Sequence, residues 1–378
     1  MKILVANTLY LGDVILSLPM IQRLKEKLPD ATIDVLVGRE PKDVLLNEPA
    51  VNSIIVYDKS GEAKGIAGIV STAKHVRQGH YDLAIVLPGS VRTALAVYLA
   101  RIPRRIGTDQ STGIDLLIKK VKFPQEAWRI PGGRIIRSIE KLWHIIGGKH
   151  SFVSSFYTDI VKLDASRHAI DRNLQLLEPL GVHSSINGSY VSLCPAARDF
   201  KAADEVLAGS SNQMVIAVAP GSSWNTKRWP VENYIEVIKS LIREEIRVVL
   251  IGGVNDETVC RDIANAVHSK LLENVCGRFS VLESAALLRN CKLLLTNDSA
   301  AMHIGAAMGI PSVIIMGPTV PEFGFAPMHS QHTILEVSGL WCRPCTPFGG
   351  TRCPTGTFDC MMNITTDRVF EAVMKRIR

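Results

Sequence analysis

Lys2-Ile3-Leu4-Val5-Ala6-Asn7-Thr8-Leu9-Tyr10-Leu11-Gly12-Asp13-Val14 is the stretch that decides the fold. An apolar run at 2–6 gives way to a polar, glycine-containing turn at 7–13. Beyond it Val14, Leu18, Ile21, Leu24 and Leu28 recur every three or four residues, the stripe of an amphipathic helix. Pro29 stops the helix, and residues 32–37 form the next strand. Strand, helix and strand at this spacing make a βαβ unit, which calls for a parallel sheet.

The same rhythm runs outward. Strands are expected at 53–57, 82–87 and 104–107, and helices at 66–78, 93–100 and 164–180. Residues 115–143 mix cations with a Pro-Gly-Gly break at 131–133. Residues 181–212 shift to Gly, Ser, Asn and Pro with weak periodicity, as a connection between domains does. The pattern then restarts, with strands at 214–218, 247–251, 292–296 and 312–316. Helices alternate with them at 231–243, 256–267, 282–289 and 300–308, and a last one falls at 367–376. The expected fold class is α/β: two doubly wound domains facing each other across a cleft, 1–190 and 191–360. The final helix, within 361–378, is expected to pack back on the N-terminal domain.

The chain's 378 residues suit two domains at roughly 150 residues each. With 47% apolar and 21% charged residues, disorder is excluded as its main state. A net charge of +7 favours anionic partners without choosing among phosphates, nucleic acid and a membrane surface. No apolar run approaches the roughly 18–20 residues of a membrane span. The N-terminus shows no apolar leader segment, so a cytoplasmic location is expected.

Ligands of doubly wound sheets bind beyond the C-terminal ends of the strands. The dinucleotide fingerprint and the Walker loop are both absent there, which argues against a standard dehydrogenase and a P-loop ATPase. The loop Pro220-Gly221-Ser222-Ser223-Trp224-Asn225-Thr226-Lys227-Arg228-Trp229-Pro230 offers hydroxyls, an amide and two cations ahead of a helix. A pyrophosphate needs such donors, although a Lys-Arg pair before a helix is also ordinary surface. Asn297-Asp298-Ser299 reads first as an N-cap, with Asp298 free to face the ligand side. His303 reads as a core histidine. Asp13, at the first strand–helix junction, is either another cap or a general base for an attacking hydroxyl.

Together these residues resemble a family. Leu11-Gly12-Asp13-Val14 with Pro19, Tyr81 to Pro88, Arg92-Thr93-Ala94-Leu95 and Arg104-Arg105-Ile106-Gly107 are similar to glycosyltransferase family 9, the lipopolysaccharide heptosyltransferases. So are Ala219-Pro220-Gly221-Ser222, Lys227-Arg228-Trp229-Pro230, Thr296 to His303 and Gly317-Pro318-Thr319, in the same order along the chain. The Leu-Pro-Gly-Ser and Lys-Arg-Trp-Pro forms lean toward the heptosyltransferase II branch. The resemblance implies a GT-B fold and inverting, metal-independent transfer from ADP-heptose to the inner core of lipopolysaccharide. It implies Asp13 as the base and Lys227 as the cation that neutralises the departing ADP. It further implies Asp298 on the heptose hydroxyls, and backbone N–H groups of Ser299, Ala300 and Ala301 on the diphosphate. Ser222 and Ser223 would add donors, and the adenosine would lie near Gly252, Gly253 and Glu257.

A basic wall of Arg92, Arg104, Arg105, Lys119 and Lys120 is expected to hold the phosphorylated acceptor. Apolar residues within 123–136 would touch an anionic membrane surface, with the protein peripheral on its inner face. Cys342, Cys345, Cys353 and Cys360 are spaced Cys-x2-Cys-x7-Cys-x6-Cys. That spacing is compatible with a structural zinc or iron–sulfur centre, with disulfides or with free thiols, although the second Cys-x2-Cys knuckle of a zinc ribbon is missing. No cofactor is expected in catalysis itself. Three other readings stay open: a different glycosyl donor, a sugar-nucleotide epimerase, and a basic nucleic-acid-binding protein with a zinc knuckle. No aromatic-basic recognition motif supports the last, so nucleic acid is not an expected partner.

Overall fold

Strand β1 (Lys2–Asn7) buries Ile3, Leu4 and Val5 completely. A strand covered on both faces needs such an unbroken apolar run. It pairs in parallel with β2 (Thr32–Val37) and β4 (Leu83–Val86), placing Ile3 opposite Ile33 on one side and Leu83 on the other. The computed structural model describes residues 1–59, 61, 63–109, 152–182, 191–208, 213–328 and 331–378. These divide into two compact units, one within Met1–Val191 and the other from Ser192 to Arg378.

In the first unit β3 (Ser53–Val56), β5 (Arg104–Thr108) and β6 (Asp159–Val161) complete an all-parallel sheet of order β3-β2-β1-β4-β5-β6. The helix expected over 14–28 is two helices, α1 (Leu11–Ile15) and α2 (Leu18–Lys27). Pro19 has no N–H to continue the first ladder, so the helix restarts there. Ser17 fills the break: its hydroxyl donates to the Val14 carbonyl at 2.7 Å and accepts from Asn7 Nδ2 at 3.2 Å. Helices α3 (Gly65–Gln78) and α4 (Val91–Leu99) lie where the periodicity places them. The helix expected over 164–180 is shorter, α5 (Ala169–Gln175) followed by a 3-10 turn at Glu178–Leu180. Ahead of it Asp164 accepts from the Ser166 N–H at 2.9 Å, which turns the chain.

The second unit starts with a helix in the stretch read as a connection. Helix α6 (Ala197–Leu207) begins with the Ala196 N–H donating to Asp199 at 2.7 Å. Then come β7 (Val215–Ala219), α7 (Val231–Arg243), β8 (Arg247–Leu250), α8 (Glu257–Val267) and β9 (Leu272–Asn274). Next are α9 (Val281–Arg289), β10 (Leu293–Asn297), α10 (Ala300–Ala307), β11 (Ser312–Ile315) and β12 (His332–Leu335). The Arg289 guanidinium lies 5.6 Å from the Phe200 ring centre, which ties α9 to α6. The sheet order is β12-β11-β10-β7-β8-β9, again all parallel. Counted from its own first strand, this is the order of the first sheet.

Two helices end the chain, the single-turn α11 (Asp359–Met362) and the twelve-residue α12 (Thr366–Ile377). The sequence placed the last helix against the N-terminal domain. Instead Val369, Val373 and Ile377 enter the second unit's own core, with Tyr234, Ile238 and Leu241 of α7. An apolar stripe binds the nearest uncovered apolar face, and the α7 face supplies it.

Candidate active site

In each sheet the strand order reverses beside the first strand, between β1 and β4 and between β7 and β10. Such a switch point splays the two outgoing loops and opens a crevice at the strand ends. The candidate residues after β1, β4, β7 and β10 therefore stand where topology makes room.

In the first unit Asp13 lies in the first turn of α1. Asn7, buried at the end of β1, donates through Nδ2 to the Asp13 carbonyl at 3.1 Å and so holds this turn. Arg172 of α5 is buried, and the charges of Asp13 and Asp171 oppose the lowering that burial imposes on its guanidinium. A cation within electrostatic reach of Asp13 thus comes from 159 positions down the chain, and no local pattern announces it.

A second cation sits after β3. The Lys59 ammonium donates to Ser90 Oγ at 2.7 Å and to the Thr8 carbonyl at 3.2 Å. Burial, aided by the charge of Arg92, pushes the Lys59 amine down to about 8. Arg92 lies beside it, donating to the Lys59 and Ala63 carbonyls. Ser90 caps α4 and accepts from the Thr93 N–H at 3.3 Å. Two cations, a hydroxyl and a helix start together make a site for an anion. Arg92 stands out in the sequence, whereas Lys59, three residues past β3, carries no pattern beyond its place near a strand end.

Arg104 and Arg105 do not join this site. Strand β5 is parallel to β1 and starts with them, so they lie at the sheet edge opposite the strand ends that carry Asp13 and Ser90. Arg104 is held by Asp159 at 3.0 Å and by the Pro179 carbonyl at 2.8 Å. Arg105 donates to the carbonyls of Phe156 and Ile102. Their expected acceptor role is corrected to one of fastening β5 to its neighbours. Lys119, Lys120 and the apolar residues within 123–136 lie outside the described residues.

In the second unit the loop after β7 is gathered by Asn297 at the end of β10. Its Oδ1 accepts from the Trp229 N–H at 3.2 Å and from the Tyr234 hydroxyl at 3.0 Å. Its Nδ2 donates to the Pro220 carbonyl at 2.8 Å. Asn297 is therefore a buckle, not the cap the sequence suggested. Gly221 lets the loop pass close to α8, since a Cβ there would lie 2.1 Å from the Asp256 carboxyl carbon. Ser222 is buried, its carbonyl held by Arg228 Nε at 2.8 Å, and Ser223 is exposed.

This folding brings Lys227 and Asp298 together, their charged atoms 2.7 Å apart with side chains only 13% and 11% exposed. Thr319 Oγ1 donates to the same carboxylate oxygen at 2.6 Å. Burial alone would raise the Asp298 carboxyl. The charge of Lys227, the hydrogen bonds from Lys227 and Thr319 and the charge of His303 hold it below the usual carboxylate range. Ser299 is the N-cap position of α10 and makes no side-chain cap bond, and Ala300 and Ala301 begin that helix. Glu257 is exposed at the head of α8. None of the eight cysteines is in a disulfide. Among the described residues no three His, Cys, Asp or Glu side chains are disposed to hold a metal ion, and no helix is long and apolar enough to cross a membrane.

Two doubly wound sheets of equal order, with a buried cation–carboxylate pair at one switch point and a carboxylate at the other, are the layout of the GT-B fold. The comparisons with known proteins narrow this. The chain belongs to glycosyltransferase family 9 (heptosyltransferase), whose profile matches residues 69–131 and 140–349. It is 29% identical over 343 residues to lipopolysaccharide heptosyltransferase 2 of Salmonella typhimurium, covering 90% of this chain and 89% of that one. The Escherichia coli K12 relative of the same name is 28% identical with the same coverage. Among solved structures, a family 9 glycosyl transferase from Veillonella parvula superposes with a TM-score of 0.77 at 23% identity, covering 100% of this chain and 97% of that one. Escherichia coli ADP-heptose lps heptosyltransferase II gives 0.71 at 24%, covering 100% and 98%.

Proposed function

We propose that this glycosyltransferase moves a heptose from ADP-heptose to the inner core of lipopolysaccharide, inverting the anomeric carbon. The Lys227–Asp298 pair at the β7/β10 switch point carries the reading. The Asp13 carboxylate takes the proton of the acceptor hydroxyl. That oxygen bonds to the anomeric carbon as the bond to the diphosphate breaks, and ADP leaves with the electron pair. Lys227 answers the charge that grows on the leaving group, where stabilisation counts most. Asp298 holds the cation until the diphosphate arrives, then turns its acceptor capacity to heptose hydroxyls. Ser222, Ser223 and the N–H groups of Ser299, Ala300 and Ala301 supply donors to phosphate. Glu257, exposed at the head of α8, takes the adenosine.

Lys59 and Arg92 take the acidic groups of the acceptor. The net charge of +7 suits two anionic ligands and the inner face of the cytoplasmic membrane, where a lipid-borne acceptor is presented. Incubation with ADP-heptose and truncated core acceptors should release ADP in a coupled assay and lengthen the acceptor by one heptose. Absence of transfer with every core acceptor, alongside transfer from another nucleotide sugar, would overturn the substrate assignment.

A further inference from the structure

Residues 341–351, from the cysteine-rich segment, lie against both loops that hold the Lys227–Asp298 pair. Arg343, with a side chain only 7% exposed, donates through Nε to the Gly317 carbonyl and through Nη2 to the Thr319 carbonyl at 2.8 Å. Between these two the Pro318 carbonyl accepts from the Cys345 N–H at 3.2 Å. All three carbonyls of the turn that carries Thr319 are thus held from one side, and Thr319 in turn holds Asp298. Glu336, 2.6 Å from Nη2, neutralises the buried guanidinium.

The far end of the segment grips the Lys227 turn. Gly350 N–H donates to Thr226 Oγ1 at 2.7 Å, and the Thr226 N–H returns a bond to the Gly350 carbonyl at 3.0 Å. Gly349 has φ +102°, and a Cβ there would stand 2.8 Å from Trp224 Cβ and 3.2 Å from Lys227 Cε. A fork-shaped guanidinium and a bare glycine backbone are what such an arrangement needs; neither Lys nor Ala reproduces them.

We propose that residues 341–351 form a strap that sets the geometry of the Lys227–Asp298 pair, with Arg343 and Gly349 as its positioning residues. The proposal rests on the reading of that pair as the donor site. Misplacement of a reacting group by an ångström is worth about 10–100-fold in rate. R343A should therefore lower kcat by about 10–100-fold while leaving the acceptor KM within about twofold. T319V should cost a similar factor, and the R343A/T319V double variant little more than the worse single one, because both act through one carboxylate. R343K should recover only part of the loss. G349A tests the other end independently: it should lower kcat by a similar factor and also lower the melting temperature, because Ala at φ +102° meets Trp224 Cβ; should neither R343A nor G349A fold, R343K decides.

Calorimetric titration with ADP gives a second readout, with weaker binding in R343A and G349A than in the parent. Folded R343A or G349A with parental kcat and ADP affinity overturns the strap, as does a double variant whose losses multiply. If K227A itself turns over like the parent, the donor-site reading fails. If K227A is inactive while R343A and G349A are not, only the strap fails.

Discussion

Lys227 has two proposed roles, which K227A removes together and K227A/D298N separates. K227A should lose about 2–4 kcal/mol of transition-state stabilisation, read as kcat/KM, as charge-stabilising donors do. It also takes the cation from Asp298, leaving the Thr319 hydrogen bond and the charge of His303, and breaking a buried ion pair costs about 3–5 kcal/mol of stability, read by denaturant unfolding. K227A/D298N should regain stability and no activity. Because Asp298 is held below its ordinary value, the pair's stabilisation is complete above the unfolded carboxyl value and is lost as pH falls through the folded one. Lys59 is read through binding rather than stability. Its amine, at about 8, is charged below that pH and neutral above it, so the acceptor KM should rise as pH passes 8. K59M should raise KM at low pH and abolish this rise; an unchanged profile would remove Lys59 from the acceptor site. D13A should abolish transfer. The positions of Asp13, Lys227 and Asp298 between a strand end and a helix were legible from the strand–helix rhythm, while their roles are the proposal. Arg172 and Arg343 were not, since their partners are distant in sequence and only the folded chain brings them near; Thr319 was placed in its turn, but not its bond to Asp298.

At the scale of elements, one amide joins β10, α7 and the loop between β7 and α7. N297D keeps the acceptor for Trp229 and Tyr234 but loses the donor to Pro220. It should cost about 1–3 kcal/mol of stability, the price of an unsatisfied buried group, together with activity. A melting temperature equal to the parent's would show that the loop is held by other means. Helix α7 was read from 231 to 243 as it stands because its apolar stripe is regular and Pro230 marks its start. Helix α6 escaped because only Asp199 and Ala203 of its residues are buried, leaving a weak stripe. Strands β6 and β9 have three residues each and β12 four, too few for a period to show. The split of α1 from α2 was marked by Pro19, yet the apolar spacing ran across it.

At the scale of the whole molecule, the loops that carry Lys227 and Asp298 belong to one unit and Asp13 to the other. ADP at 100 times its dissociation constant should stabilise the protein by about 2.7 kcal/mol. D13A should keep that thermal shift and K227A should reduce it, while UDP and a DNA oligonucleotide should give little. A DNA-induced shift as large as that of ADP would return the charge of +7 to nucleic acid. The two-domain α/β plan was legible because each half repeats its strand–helix rhythm around unbroken apolar strands such as 3–6 and 215–219. The shared strand order has a consequence for how the chain is made. In each half the first strand is central, so early pairing with its successor leaves one edge open until the fourth strand arrives. The first sheet receives its last strand at Asp159–Val161, before β7 is synthesised. The ribosome therefore delivers the half that carries Asp13 as a complete set of strands, and that half meets the polymerisation of Lys227 already able to close.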